Sequence, residues 1–229
     1  MAGTPRQQAR EHTMREIVRI GREQLAQVGP AELSLRAVAR ELGVVSSAVY
    51  RYVASRDELL TLLIVDAYDE LGDAADAAVA AAPSRPRAQL QAAAHAVRDW
   101  ALREPSRYSL LYGTPVPGYR APAERTTEPG TRVAVLLMAI LEGAFADGRL
   151  DLGSERLPQA VRRDMDAIRR EYALHMPAPV LARGFALWSA LFGLVSFDVF
   201  DQYGADTLTD RTAFFRHQVD VLAELVPGV

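Results

Sequence analysis

The sequence predicts an all-α fold, and three observations predict it. Apolar residues recur at i, i+3, i+4 and i+7 through most of the chain. No alternation of the kind a strand needs persists anywhere. Proline and glycine fall at the ends of the periodic runs, where they start or stop helices. Hydrophobic residues make up 49% of the 229, ample for a core, and the runs amount to about ten helices.

The stretch 34–59, SLRAVARELGVVSSAVYRYVASRDEL with its last leucine, organises the rest. Leu35, Val38, Ala39 and Leu42 form the inner stripe of a short helix, with Ser34 placed to N-cap it. Gly43 lets the backbone break away in a left-handed turn. A second short segment, 46–53, turns Ala48, Val49, Tyr52 and Val53 inward and Ser46, Ser47 and Tyr50 outward. Helix, glycine turn, helix is the helix-turn-helix plan, whose second helix enters the DNA major groove. A further helix starts at Ser55, where Ser55 and Glu58 have the spacing of a capping box.

These residues resemble the DNA-binding domain of the tetracycline-repressor (TetR) family of transcriptional regulators. The match runs through Ser34, Val38-Ala39, Leu42-Gly43-Val44, Ser46-Ser47-Ala48, Val49-Tyr50-Arg51-Tyr52 and Ser55-Arg56-Asp57-Glu58-Leu59. The departures are Val45 where the family commonly has Ser or Thr, Val53 for Phe, and Arg56 for Lys. Val45 removes one natural cap of the recognition helix. The block LWSALFGLVSFDVF, with YGTPVPGY before it, also resembles one branch of the family's C-terminal domains. The resemblance implies a helix-turn-helix domain over 1–56 and a helical effector-binding and dimerisation domain over 57–229. It implies a homodimer formed through residues 179–203 and 209–226. It also implies a small-molecule pocket whose occupation lowers affinity for a palindromic operator.

In order, residues 1–12 are polar and expected to lack order. The first helix is expected from a cap at Thr13 to Val28, stopped by Gly29-Pro30. The helix from Ser55 keeps Leu59, Leu60, Leu63, Ile64, Ala67 and Leu71 on one face and runs to Ala82. Residues 86–103 follow, then a short helix opened by Pro105. Residues 113–129 hold four prolines and two glycines and read as a loop. Periodic runs then cover 128–147, 158–175, 179–203 and 209–226. The run 179–203 is apolar nearly all round, which demands cover on every side.

Composition narrows the function. There is no cysteine, hence no disulfide framework and no thiolate nucleophile or ligand. With no run of about eighteen apolar residues and a charged N-terminus, neither a membrane span nor a signal peptide is expected, and the cytoplasm is the expected location. All 26 basic residues are arginine. Residues 1–56 carry nine arginines against five glutamates, whereas 57–229 carry seventeen against twenty-four acids. A basic end on an acidic body suits a protein that meets phosphates with one end. Neither a phosphate loop nor a nucleophile elbow is present. The pairs Glu171/His175 and His95/Asp99 offer two ligands each where a metal site needs three or four, so no metal and no cofactor are expected.

The candidate DNA contacts are Ser34, Arg36, Ser46, Ser47, Tyr50, Arg51 and Arg56. Serine hydroxyls and Tyr50 reach bases or backbone, and Arg36 and Arg56 stand at positive helix ends that favour phosphate. Arg51 meets phosphate or only solvent. The candidate effector-lining residues are Trp100, Tyr108, Tyr112, Met138, Phe145, Tyr172 and Trp188, an aromatic set suited to an apolar ligand. Asp166, His95 and Arg169 either give such a ligand polar contacts or lie at the surface. The reading is a homodimeric, ligand-responsive regulator, most simply a repressor. Its rivals are a constitutive DNA binder of the same fold, and an all-helical enzyme or interaction protein with a chance hairpin.

Overall fold

The computed structural model describes residues 4–150 and 156–226. Among them the chain is all-helical, with ten α-helices and one 3-10 turn, Pro30–Glu32. The helices are α1 (Pro5–Val28), α2 (Leu35–Glu41), α3 (Ser46–Val49), α4 (Arg56–Ala81), α5 (Pro86–Arg103), α6 (Pro105–Tyr112), α7 (Ala123–Ala146), α8 (Gln159–Glu171), α9 (Ala178–Val199) and α10 (Arg211–Ala223). Backbone compactness groups them into two units. One takes the residues up to Glu70 together with Glu104–Gly130, the other Leu71–Arg103 and the residues from Thr131 onward. The first unit is thus larger than the 1–56 segment delimited by sequence, because residues 56–70 of α4 and the segment 104–130 pack with the N-terminal helices.

In the first unit, α1 starts eight residues before the expected cap. Thr4 is the N-cap: its hydroxyl accepts from the Gln7 amide at 3.3 Å, and Pro5 fits the first turn, where no N–H is needed. Thr13 lies inside the helix and donates to the Ala9 carbonyl instead. The expectation of disorder over 1–12 therefore fails for residues 5–12; residues 1–3 lie outside those described. Ser34 caps α2 as expected, accepting from the Ala37 amide at 3.4 Å, and Gly43 takes a φ of 68°. The recognition segment is shorter than read. Only Ser46–Val49 is helical, and its cap position, Val45, offers no side-chain acceptor. Ile17, Ile20, Leu35, Val38, Val49, Val53, Leu59 and Leu63 are buried together and form the core that fixes α2 and α3 on α1 and α4. Each such side chain contributes about 1.5–3 kcal/mol when fully buried.

The segment 113–129 is a loop only as far as Pro122. Helix α7 begins at Ala123 and carries Pro129 inside it. A proline there removes one hydrogen bond from the helix ladder. The helix holds because the Thr126 hydroxyl and the Arg125 and Thr126 amides all bond the Pro122 carbonyl, fixing the first turn.

In the second unit, α9 packs on α5, α8 and α10. At Gly184 an added methyl would meet Leu141 and the Met138 sulfur at 2.8 Å, so α7 and α9 approach closely only because the residue is glycine. A buried ion pair links α5 to α9, with Arg98 Nε donating to Asp198 Oδ2 at 2.6 Å. Helices α7 and α9 are long and apolar enough to cross a membrane on length and composition alone, contrary to the sequence estimate. Each nonetheless carries charge engaged within this unit, Glu142 on α7 and Asp198 on α9. Helix α9 is not covered all round. Ala186, Ser189, Gly193, Phe197 and Phe200 are exposed, and they share one face at heptad-like spacing.

Candidate nucleic-acid interface and effector region

The recognition segment presents its outer face as expected. Tyr50 and Val45 are exposed, 47% and 69%. Ser47, Arg36 and Arg51 are exposed as well; Ser46 and Ala48 are half-buried. Val49 is buried, and Tyr52 is half-buried and packs against the core. Ser34 is occupied at both ends, since its hydroxyl caps α2 and its amide donates to Gln24 Oε1 at 3.1 Å. Arg56 is also engaged: its guanidinium donates to the Pro30 carbonyl at 2.7 Å and lies 3.7 Å from Asp57, so it ties the 3-10 turn to the start of α4.

The arginines of the N-terminal region fall into two groups. Arg19 is paired with Glu16 and Glu23, and Arg22 with Asp66 and Glu70. The hydrogen bond that Arg22 donates to Asp66, outweighing burial, raises the Arg22 pKa. By contrast Arg6, Arg10, Arg15, Arg36, Arg40 and Arg51 have no carboxylate partner among the described residues. Arg6, Gln7 and Arg10 of α1 line a surface groove with Ala48, Arg51 and Tyr52, and the Arg10 guanidinium lies 5.5 Å from the centre of the Tyr52 ring. Sequence reasoning missed Arg6 and Arg10 as members of this group. The signal was Thr4-Pro5, a cap followed by a first-turn proline. Unpaired cations beside a half-exposed short helix are what a phosphate backbone requires.

The comparisons with known proteins agree. The pattern described as bacterial regulatory proteins, tetR family, matches residues 17–63, and that of the tetracyclin repressor-like C-terminal domain matches residues 90–222. HTH-type transcriptional regulators of Mycobacterium tuberculosis and Mycobacterium bovis are 46% identical over 225 residues, 96% of this chain and 95% of theirs. The chain belongs to the TetR family of transcriptional regulators. A solved regulatory protein, SCO4313, superposes with a TM-score of 0.79 at 33% identity, covering 96% of this chain and 100% of that one. A tetR family regulator from Shewanella sp. PV-4 shares the fold at 15% identity, with a TM-score of 0.60 over 93% of this chain and 97% of its own. The family's members are transcriptional regulators rather than enzymes.

In this TetR-family chain the seven effector candidates do not form one set. Met138 and Phe145 join an apolar cluster with Met176, Leu181 and Phe185 in the second unit. Trp188 lies edge-on to Phe185 at 5.9 Å and to Phe192 at 6.4 Å. Tyr108 and Tyr112 stack at 5.0 Å in the first unit, where Tyr68 meets Tyr112 edge-on at 6.1 Å. Burial pushes the Tyr112 phenol far up, so it is neutral. Trp100 is wholly buried, and Tyr172, just past the end of α8, is 47% exposed. His95 stacks edge-on against Phe215 at 5.4 Å. His175 pairs with Glu142 at 2.9 Å, and Arg169 with Asp166 at 2.9 Å. Burial alone raises the Glu142 pKa, but hydrogen bonds from the Met176 and His175 amides and the His175 ring leave it lowered. Among the described residues no group of three His, Cys, Asp or Glu gathers to hold a metal.

Proposed function

We propose that the chain is a homodimeric, cytoplasmic, ligand-responsive repressor that binds a palindromic operator and is released from it by a small-molecule effector. The observation that carries the DNA half of this reading is the group of arginines without carboxylate partners beside α3. Residues 1–56 read the operator. Ser46, Ser47 and Tyr50 address base edges, while Arg36 and Arg51, with Arg6 and Arg10, address phosphates. Ser34, half-buried, holds α2 in place; Arg56 acts through the Pro30 turn. Residues 57–229 dimerise through the exposed faces of α9 and α10, which sets the recognition helices about 34–36 Å apart or a small multiple of it.

The effector is apolar and occupies the second-unit region of Met138, Phe145 and Trp188, with Trp100 and Tyr172 of the same unit as further candidates; Tyr108 and Tyr112 belong to the first unit and are left to its packing. Helix α4 continues unbroken from Arg56 to Ala81, through the point where the first unit gives way to the second, so it is a physical carrier for the signal. A mobility-shift assay on the intergenic DNA beside the gene tests the reading, with and without a ligand found by thermal shift. Protection of a palindrome that is lost on adding ligand is the expected result. Protection unaffected by any ligand that binds the second unit leaves a constitutive regulator. No selective protection removes the operator reading.

Four substitutions sort the contacts. Tyr50→Ala should weaken specific binding by about 1–3 kcal/mol without altering thermal stability. Arg36→Ala and Arg51→Ala should weaken binding to all duplexes alike, each lowering the salt slope by about one. Arg56→Ala should instead lower the unfolding midpoint, since its guanidinium bonds a carbonyl inside the protein. Titrations at several salt concentrations, paired with thermal melts, separate the three behaviours.

A further inference from the structure

Two valines in a row lead into α3, and neither is packed away. Val45 is 69% exposed, the most exposed large apolar side chain among the described residues, and Val44 is 44% exposed. A single valine on a surface is ordinary. Here Tyr50, just past α3, is exposed as well, so three large apolar side chains stand open within seven residues of the recognition end. The side chain of Val45 has no structural work there. It occupies the cap position of α3 on extended backbone (φ −70°, ψ 145°), where Ser, Thr, Asp or Asn would accept from a helix amide and a valine cannot. The backbone alone serves the position, its carbonyl accepting from the Ala48 amide at 2.9 Å. Packing falls to Val49, which is 1% exposed in the core of the first unit. Both backbone and core would therefore tolerate a polar residue at 45.

The surroundings name what the isopropyl group meets. The charged residues from 36 to 51 are Arg36, Arg40 and Arg51 against Glu41, all of them exposed. Three cations to one carboxylate suit a polyanion. The residues that open a recognition helix are the ones that reach base edges. In the major groove one natural base presents an apolar group, the 5-methyl of thymine.

We propose that Val45 is a specificity-determining residue that reads a thymine in each half of the operator, packing its γ-methyls on the base's 5-methyl. This rests on the operator-binding reading above. It adds an apolar reader to the polar ones, Ser46, Ser47 and Tyr50, and turns the missing cap of α3 into a contact with DNA.

The test uses the full-length protein and the duplex that the wild type protects, made synthetically so that thymine is its only source of a 5-methyl group. Copies of it carry deoxyuridine for thymine, one symmetric pair of positions at a time. Deoxyuridine keeps every hydrogen-bonding group of thymine and lacks only the methyl. At one such pair the wild type should lose about fourfold in affinity per half-site, about fifteenfold over the pair, the scale of one buried methyl each. Val45→Ser should bind the parent duplex more weakly by at least that factor and lose nothing further on the deoxyuridine copy, the non-additivity that marks a direct contact. It should melt no lower than the wild type, because serine supplies the cap that valine cannot. Val45→Thr, which keeps one γ-methyl, should keep part of the sensitivity. Affinity of all variants for an unrelated duplex should stay within about twofold, since the phosphate contacts are intact. A wild type indifferent to deoxyuridine at every position would overturn the proposal. So would a Val45→Ser variant with the wild type's full sensitivity at the same pair, since another side chain would then be reading the methyl. Val45→Ser binding the parent duplex as tightly as the wild type would overturn it too, and would assign the patch to a protein partner. Equal loss on the operator and the unrelated duplex would overturn it as damage to the whole module. A wild type that does not distinguish those two duplexes would instead defeat the operator reading itself.

Discussion

Asp198→Ala should destabilise the protein by about 3–5 kcal/mol, the range for breaking a buried pair by removing one partner. Asp198 and Arg98 are 7% and 5% exposed, so the arginine left behind cannot reach water without disturbing α5 or α9. Its remaining neighbours are poor substitutes. Thr212 offers a hydroxyl at 3.4 Å, and the Phe215 ring lies 5.1 Å from the guanidinium carbon. Arg211, 3.6 Å from Asp198 on its other side, loses part of its pairing too, although it keeps Asp201. The double replacement Arg98→Met with Asp198→Leu should recover most of the loss, because apolar groups of similar volume leave no charge to satisfy. Denaturant midpoints with unchanged slopes are the measurement, taken at one protein concentration because assembly shifts apparent stability. A single-variant loss below about 1 kcal/mol, the scale of an exposed pair, would show that the pair is wetter than its burial implies.

Phe197→Asp should convert the protein to a monomer that keeps its helical content. Phe197 is 45% exposed on α9 and stacks on Tyr203 at 5.3 Å, which in turn meets Phe214 at 5.5 Å. It belongs to the face of Ala186, Ser189, Gly193 and Phe200, where small residues let a second helix come near and the two phenylalanines supply apolar area. A carboxylate there costs little in a lone chain and a great deal beneath a partner. Operator affinity should fall by about 10²–10⁴, the gain that linking two half-site contacts normally brings. Sedimentation and a titration on the protected duplex check both parts. Unchanged mass would move the interface to another surface.

Legibility followed the physical origin of each signal. The bounds of α5 were readable because Pro86 opens it and Pro105 lies just past its end, and the cap of α2 because Ser34 sits before an apolar stripe. The first two turns of α1 were not, since Arg6, Gln7, Gln8 and Arg10 bury nothing and leave no periodicity; only the Thr4-Pro5 cap betrays them. The start of α7 was hidden by Pro129, whose missing N–H argues against a helix that its first turn nevertheless sustains. Helix α9 is apolar nearly all round, and the cover that this demands is incomplete within the single chain, where Gly193 and Phe197 stand in the open. At the recognition end, the exposed Tyr50 and Arg36 were legible from face alone. The engagement of Arg56 with Pro30 was not, because a backbone carbonyl leaves no mark in composition. The bonds of Arg107, Tyr119 and Arg125 to α4 depend on partners 37 to 67 positions away along the chain, a separation at which side-chain spacing carries no information.

The arginines beside α3 bear on how binding to DNA can be turned off. These 229 residues contain no lysine. Acetylation, which strips the charge from a lysine, therefore finds no side chain to act on, and methylation of an arginine leaves its charge in place. A guanidinium also has no neutral form to adopt when the cell acidifies or turns alkaline. Neither lysine acetylation nor a change of pH can therefore remove the charge of these arginines. On the operator-binding reading proposed above, competition from salt and rearrangement of the helices that carry the arginines are routes off the duplex.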